Sequence, residues 1–398
     1  MSTRDSHQRV FVSVLLLLLG AGWAANHFAS LLGPLRDWQE LSGVTVNAAF
    51  GIYALGLLPS LLGGGVLVDR IGARGVVLTG AALAAVGNTS LLFWHDEIGV
   101  LIGRFIVGLG VGLTTSAGTV WAGQIRPNGG AVLAGIFLTT GFAVGPVFSG
   151  AIIYLTPERF SLPAAFALTV TFSLLTIALA LIVGNATSQS ASRQTAHARV
   201  DAPYRTLGRA LAAALPMALW VFSTVTTAVV ILSARAQAGA IPDLLVPGLA
   251  ALLSFGSGLL IQVISRRLAW GPGAGVAGSL LAAAGMGLAA LGGTSLPPII
   301  FVPACMVLGC AYGLSLQQGL LDVSYLAPAH SHGITIGIFY VAAYLGFGLP
   351  VIMELLLPLA GARAPFLVLA LLALVSALIR FVQMARTDLL ARTNIQKP

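Results

Sequence analysis

Very few side chains in this sequence can carry a charge or a proton, and several of those stand inside long apolar runs. Arg104 opens the segment Arg104-Phe-Ile-Val-Gly108-Leu-Gly110-Val-Gly112. It is read as the one Lys or Arg held within an apolar run. A guanidinium in such a setting costs about 3 kcal/mol or more and defaults to a functional role. It needs a carboxylate, backbone carbonyls or an anionic solute beside it. The alternative is a long side chain reaching outward to polar headgroups. His27 follows Asn26 in the first run, at a depth comparable with Arg104. An imidazole can titrate near neutral pH, or it can sit neutral and hydrogen-bonded. Of the 12 Asp and Glu, Asp322 and Glu354 are the two that fall within apolar runs. His27, Arg104, Asp322 and Glu354 are therefore the candidates for proton coupling. For Glu354 the competing reading is a plain interfacial residue.

Enzymatic chemistry is not indicated. No nucleophile stands beside a base, no acid/base pair is clustered, and no metal-ligand spacing occurs. Cys305 and Cys310 lie five residues apart in one run, point in different directions on a helix, and read as small packing residues. No cofactor is expected; a proton gradient is the expected energy source.

The elements that must position these residues follow from composition. Apolar residues make up 57% of the chain and charged residues 8%, against roughly 25% charged in soluble domains. The net charge of +8 is spread one or two residues at a time, so it makes no nucleic-acid footprint. Twelve apolar runs are long enough to cross a bilayer core of about 30 Å. They lie near 10–35, 44–68, 75–94, 98–123, 131–155, 162–184, 210–233, 244–264, 273–296, 298–321, 334–357 and 365–384. The first is too long for a signal-peptide core and reads as a span. With both termini cytoplasmic, four of the 20 Lys+Arg fall outside (Arg36, Arg159, Arg235, Arg363), Arg104 is in a span, and the other fifteen are cytoplasmic. That asymmetry sets the orientation. The polar stretch between runs six and seven reads as a linker. The expected organisation is an all-α membrane protein: twelve transmembrane helices in two pseudo-symmetric six-helix bundles, 1–184 and 210–398, joined by a cytoplasmic linker at 185–209.

One charged turn separates runs two and three: Gly65-Val-Leu-Val-Asp69-Arg70-Ile-Gly72-Ala-Arg74. It recurs, weakened, between runs eight and nine as Gly258-Leu-Leu-Ile-Gln262-Val-Ile-Ser265-Arg266-Arg267. The turn resembles the helix 2–3 loop signature of the major facilitator superfamily, with Ala73 in place of a basic residue and Gln262 in place of the Asp of the second copy. Run four is similar to the family's helix 4 motif, with Val107 where Gln is common. Gly141-Phe-Ala-Val-Gly145-Pro146-Val-Phe-Ser149-Gly150 in run five resembles the helix 5 motif of its antiporters, with Ser149 where Gly is common.

The resemblance implies a secondary transporter working by alternating access, most like drug or metabolite:proton antiporters. Gly65, Asp69, Arg70, Gly72 and Arg74 would then gate, acting as a cytoplasmic latch; the alternative is a solvated turn that obeys the positive-inside rule. Gly145 and Pro146 would bend run five, and Gly346-Phe-Gly348-Leu-Pro350 would do the same in run eleven. A cavity lined by helices 1, 4, 7 and 10 would carry Trp23, Asn26, His27, Trp220, Thr224, Thr227, Tyr312, Gln317 and Gln318, any of which can instead serve packing. Such a set suits an amphipathic or weakly anionic small molecule. Three functions stay open: proton-coupled efflux of amphipathic small molecules; import or facilitated passage of a small polar solute or organic anion; and a non-transporting receptor, scaffold or membrane enzyme. The expected setting is the inner (plasma) membrane, as a monomer in the lipid bilayer, with no nucleic-acid partner.

Overall fold

In the computed structural model of this chain, the described residues are 3–183 except 128, 206–328 except 238 and 240, and 331–395. Most of the expected linker, residues 185–205, lies outside them. Apart from one isolated bridge between Ala236 and Leu296, the described residues form helices and short connections. The α-helices are α1 (Thr3–Asn26), α2 (Leu32–Trp38), α3 (Gly43–Phe93), α4 (Glu97–Ile125), α5 (Gly130–Leu155), α6 (Glu158–Val183), α7 (Leu207–Thr226), α8 (Val246–Arg267), α9 (Gly273–Gly292), α10 (Pro298–Leu326), α11 (His332–Tyr344), α12 (Leu349–Ala360) and α13 (Ala364–Ile395).

Their starts are written in the sequence. Ser42 caps α3 by accepting from the Thr45 N–H at 3.0 Å, Asp96 caps α4 through the Gly99 N–H at 2.8 Å, and Thr206 caps α7 through the Arg209 N–H at 3.2 Å. Pro298 opens α10, where its missing N–H costs nothing.

Eleven helical segments among the described residues are long and apolar enough to cross a membrane. The expected second and third runs form one of them, the 51-residue α3. At the rise of an α-helix that segment would measure about 76 Å, more than twice a bilayer core. Gly72 interrupts it with φ 78 and ψ 155, a conformation that only glycine takes without strain. Large apolar side chains such as Leu155, Ile182 and Leu359 stand more than 70% exposed, as a lipid-facing surface requires.

Several spanning segments are not α-helical throughout. α1 tightens into a 3-10 turn at His27–Leu31 before α2, α7 widens into a π-turn at Thr227–Leu232, and α11 reaches α12 through a 3-10 turn at Leu345–Gly348. Such departures concentrate where helices carry function.

The chain divides into two compact units, Met1–His197 with Ala238–Leu252, and Ala198–Gln237 with Leu253–Pro398. In the first, α3 packs on α4 and α1 on α5; in the second, α10 packs on α7 and α9, and α9 on α13.

Candidate functional site

In the first unit the change from α1 to the 3-10 turn places His27, fully buried, against three helices. Its Nε2 lies 2.9 Å from Asn88 Oδ1 on α3, and its Nδ1 lies 3.3 Å from Ser149 Oγ on α5. Asn88 Nδ2 donates to the Ala84 carbonyl, which leaves Oδ1 as an acceptor. The network therefore assigns the hydrogen to Nε2, and Nδ1 accepts from the Ser149 hydroxyl. Ser149, the position where the family motif commonly has Gly, is thus the histidine's partner. The Phe166 ring stands perpendicular to the imidazole at 5.6 Å between centroids, and His95 stacks on Phe166 at 5.8 Å. His95 lies between α3 and α4, outside the spanning segments, and burial holds its imidazole below the ordinary value of 6.5.

Arg104 on α4 is fully buried and does not reach for headgroups. Its Nη2 donates to the Ala25 carbonyl at 3.1 Å and its Nε to the Ala49 carbonyl at 3.3 Å. The guanidinium lies over the rings of Phe28 at 4.5 Å and Tyr53 at 4.8 Å, a favourable face for a cation. Among the described residues its Nη1 has no hydrogen-bond partner. Arg104 thus binds the end of α1 to α3 and α4, and it lies near enough to His27 to act on it electrostatically.

Two expected cavity residues hold helices together. Trp23 Nε1 donates to Thr169 Oγ1 at 3.0 Å, and the indole stacks on Phe148 at 5.0 Å. Asn26 Nδ2 donates to the Phe142 carbonyl at 2.7 Å. That carbonyl is four residues before Pro146, which has no N–H to offer it. The side chain of Asn26 replaces the missing backbone bond, and Ser30 Oγ donates to the Pro146 carbonyl at 2.8 Å. Here α1 and α5 touch backbone to backbone: a Cβ on Gly141 would run into the Leu19 carbonyl, and one on Gly145 would sit 3.0 Å from that of Trp23.

The second unit repeats this device. Pro350 frees the Gly346 carbonyl, and Thr226 Oγ1 on α7 donates to it at 3.0 Å while also reaching the Phe222 carbonyl at 2.8 Å. A Cβ on Gly346 would strike the Ser223 backbone nitrogen. Trp220 is buried with its Nε1 unbonded among the described residues, and Thr224 Oγ1 bonds back to the Trp220 carbonyl. Tyr312 packs edge-on to Phe255 at 5.4 Å, in a cluster that includes Phe222 stacked on Tyr344. Thr227 starts the π-turn and bonds back to the Ser223 carbonyl.

The expectation that Arg104 is the lone basic residue within a span is corrected here. Arg380 on α13, counted from sequence among the cytoplasmic arginines, is 5% exposed and pairs through Nη2 with Asp322 Oδ2 on α10 at 2.7 Å. Gln318 Nε2 donates to Asp322 Oδ1 at 2.9 Å. The signal was present: Arg380 falls inside the last apolar run, where a charge demands a partner. Glu354 is exposed on α12 and acts electrostatically on Arg235.

At the charged turn, Gly65, Asp69, Arg70 and Gly72 are exposed, and Arg74 Nη2 donates to the Ala180 carbonyl of α6 at 3.3 Å. In the second copy Arg266 Nε donates to Gln317 Oε1 at 3.3 Å. Gln317 therefore holds that turn to α10.

A bundle of long apolar helices with charges and prolines engaged inside it marks an integral membrane protein. The chain belongs to the Major Facilitator Superfamily, whose family model matches residues 10–350; its members are transport proteins and not enzymes. Over 125 residues the chain is 32% identical to the human proton myo-inositol cotransporter, covering 30% of this chain and 18% of that protein. Over 84 residues it is 33% identical to multidrug resistance protein MdtL of Klebsiella pneumoniae (strain 342), covering 21% of each. The matched stretches thus span about a fifth of these relatives. A solved structure of a POT family transporter in complex with 5-aminolevulinic acid superposes with a TM-score of 0.75 over 94% of this chain and 95% of that one, at 15% identity; this shows the shared fold.

Proposed function

We propose that this chain is a proton-coupled exporter of amphipathic small molecules, drugs or metabolites, working by alternating access. The observation that carries the reading is the seam between α1 and α5. The segment resembling the antiporter motif, Gly141 to Gly150, packs backbone to backbone on α1, and its proline-freed carbonyl is held by one side chain, Asn26. A bent helix held by a few exchangeable side-chain hydrogen bonds, from Asn26, Ser30 and Ser149, can take two positions at low cost. The partial likeness to MdtL agrees. In this reading α3 counts as two spans broken at Gly72. The chain then has twelve spans in two six-helix bundles, 1–184 and 210–398, in the plasma membrane as a monomer, with both termini cytoplasmic.

The second reading is import or facilitated passage of a small polar solute or organic anion. The likeness to the myo-inositol cotransporter favours it, as does the unbonded Arg104 Nη1, which an anionic group would satisfy. Expression in a host lacking its main exporters separates the two. Export predicts lowered accumulation of ethidium and related dyes, restored by a proton uncoupler. Unchanged accumulation across a broad dye panel, with uptake of radiolabelled solutes instead, selects the second reading. For the turn, Asp69→Asn should lower turnover more than substrate affinity; lost affinity at normal turnover would remove its gating role.

A further inference from the structure

Asp322 is the one buried carboxylate among the described residues. Its surroundings hold a single counter-charge. α13 supplies Arg380, whose Nη1 donates to Gln383 Oε1 at 3.0 Å, and Gln383 in turn donates to the Ala212 carbonyl of α7 at 2.9 Å. α10 supplies the Gln318 amide. α9, packed against α10 and α13, has no titratable side chain in its sequence. α7 brings Met217 and the Ala212 carbonyl, while its Arg209 is exposed. α11, packed on α10, carries Tyr340 and Tyr344, with His332 as its first residue.

One feature sets this pair apart from a fixed structural clamp. Arg380 Nε, buried, has no hydrogen-bond partner among the described residues. Beside it stands Gly275, where a Cβ would lie 3.4 Å from that nitrogen and 3.2 Å from Gln318 Cγ, and would strike Met217 Sδ. The guanidinium is thus incompletely bonded although it is buried, and it packs closely against Gly275. The other candidates for carrying a proton differ: both ring nitrogens of His27 are engaged, Glu354 is exposed, and the neighbours of Arg104 are carbonyls and aromatic rings.

We infer that Asp322 is the proton-exchanging group of the second unit and that Arg380 is its positioning partner, holding the carboxylate charged until a proton arrives. This rests on the proton-coupled reading above. Uptake of a proton at Oδ2 removes the carboxylate charge, and the guanidinium keeps its own protons and loses its Coulomb attraction. Release of the proton to water restores the carboxylate and the pair.

Infrared difference spectra of the purified full chain, titrated without any substrate, read Asp322 directly. The expected result is a carboxylic C=O band that appears on acidification and is lost in Asp322→Asn. Arg380→Gln should let the band persist at roughly tenfold lower proton concentration, and Arg380→Lys should return it toward the wild-type midpoint. No titrating band, a band that survives Asp322→Asn, or a midpoint indifferent to Arg380→Gln would each overturn the assignment. Should either single variant fail to fold, Asp322→Asn/Arg380→Gln leaves no unpaired charge and must still lack the band. That double variant must also lose uncoupler-sensitive ethidium efflux; unchanged efflux overturns the coupling role. Failure of the export reading shows differently, as wild-type protein without uncoupler-sensitive efflux and with the band intact.

Discussion

The two units solve one mechanical problem alike and one electrical problem differently. In each, a proline deprives a helix of one hydrogen bond, and a polar side chain from the unit's first helix restores it: Asn26 for Phe142, Thr226 for Gly346. The electrical difference lies deeper. The first unit buries Arg104 against carbonyls and aromatic faces and keeps His27 in a closed hydrogen-bond network; the second buries an acid with its base, Asp322 and Arg380. A cation solvated by backbone dipoles is fixed in charge and gains nothing from a passing proton. A carboxylate facing a guanidinium changes charge by one unit with each proton. The comparison assigns rigidity to the first unit's charges and exchange to the second's.

The sharpest break in this comparison is Arg380→Ala. It strands Asp322 in an apolar interior and should cost about 3–5 kcal/mol, read as a large fall in Tm in detergent. Asp322→Asn/Arg380→Gln should recover much of that, and a double variant no better than Arg380→Ala would deny that stranded charge is the cause. Next comes Gly141→Val, which drives a side chain into the Leu19 carbonyl and should cost about 1–3 kcal/mol or more. Gly346→Val tests the same contact in the second unit, and a harmless substitution at either site would break the parallel.

The clamps themselves should differ. Asn26→Ala leaves the Phe142 carbonyl bare and should cost about 1–3 kcal/mol. Thr226→Val should cost less, because Thr226 divides its hydroxyl among three carbonyls, those of Phe222, Ser223 and Gly346. Equal losses would mean the second clamp is as dependent on one bond as the first. The smallest effect belongs to His95. Its imidazole titrates below the ordinary 6.5 when folded, so the unfolded chain binds the proton more readily. Stability is then full above about pH 6.5 and falls as pH drops through the lowered folded value. His95→Gln should flatten that acid-side slope in Tm, and an unchanged slope would exclude His95 as its source.

Much of the fold was legible because each span must satisfy its own backbone and face lipid, which forces long apolar runs with charged ends. Gly72 was legible as part of the charged turn between two apolar runs, and the structure breaks the 51-residue segment there. The site was legible only in residue type. His27, Arg104 and Asp322 stand out as polar groups where polarity is expensive. Their partners do not, because Asn88 and Ser149 are ordinary residues on other helices and Gln318 is an ordinary amide one turn before Asp322 on α10. Arg380 was misplaced because counting arginines by side rewards a cytoplasmic assignment, and a buried pair looks like two surface charges until distance is known. Gln317 read as a solute ligand because an amide in a tenth helix has no visible partner in sequence, whereas it grips Arg266.

The proline clamps also bear on ancestry. Donor and acceptor are 116 residues apart in the first clamp and 120 in the second. The four-residue difference is one that the connections between helices can absorb. If the halves descend from one duplicated gene, their lengths have drifted while the restored carbonyl has stayed. Common origin would then be more visible in which backbone group each first helix repairs than in any run of matched letters.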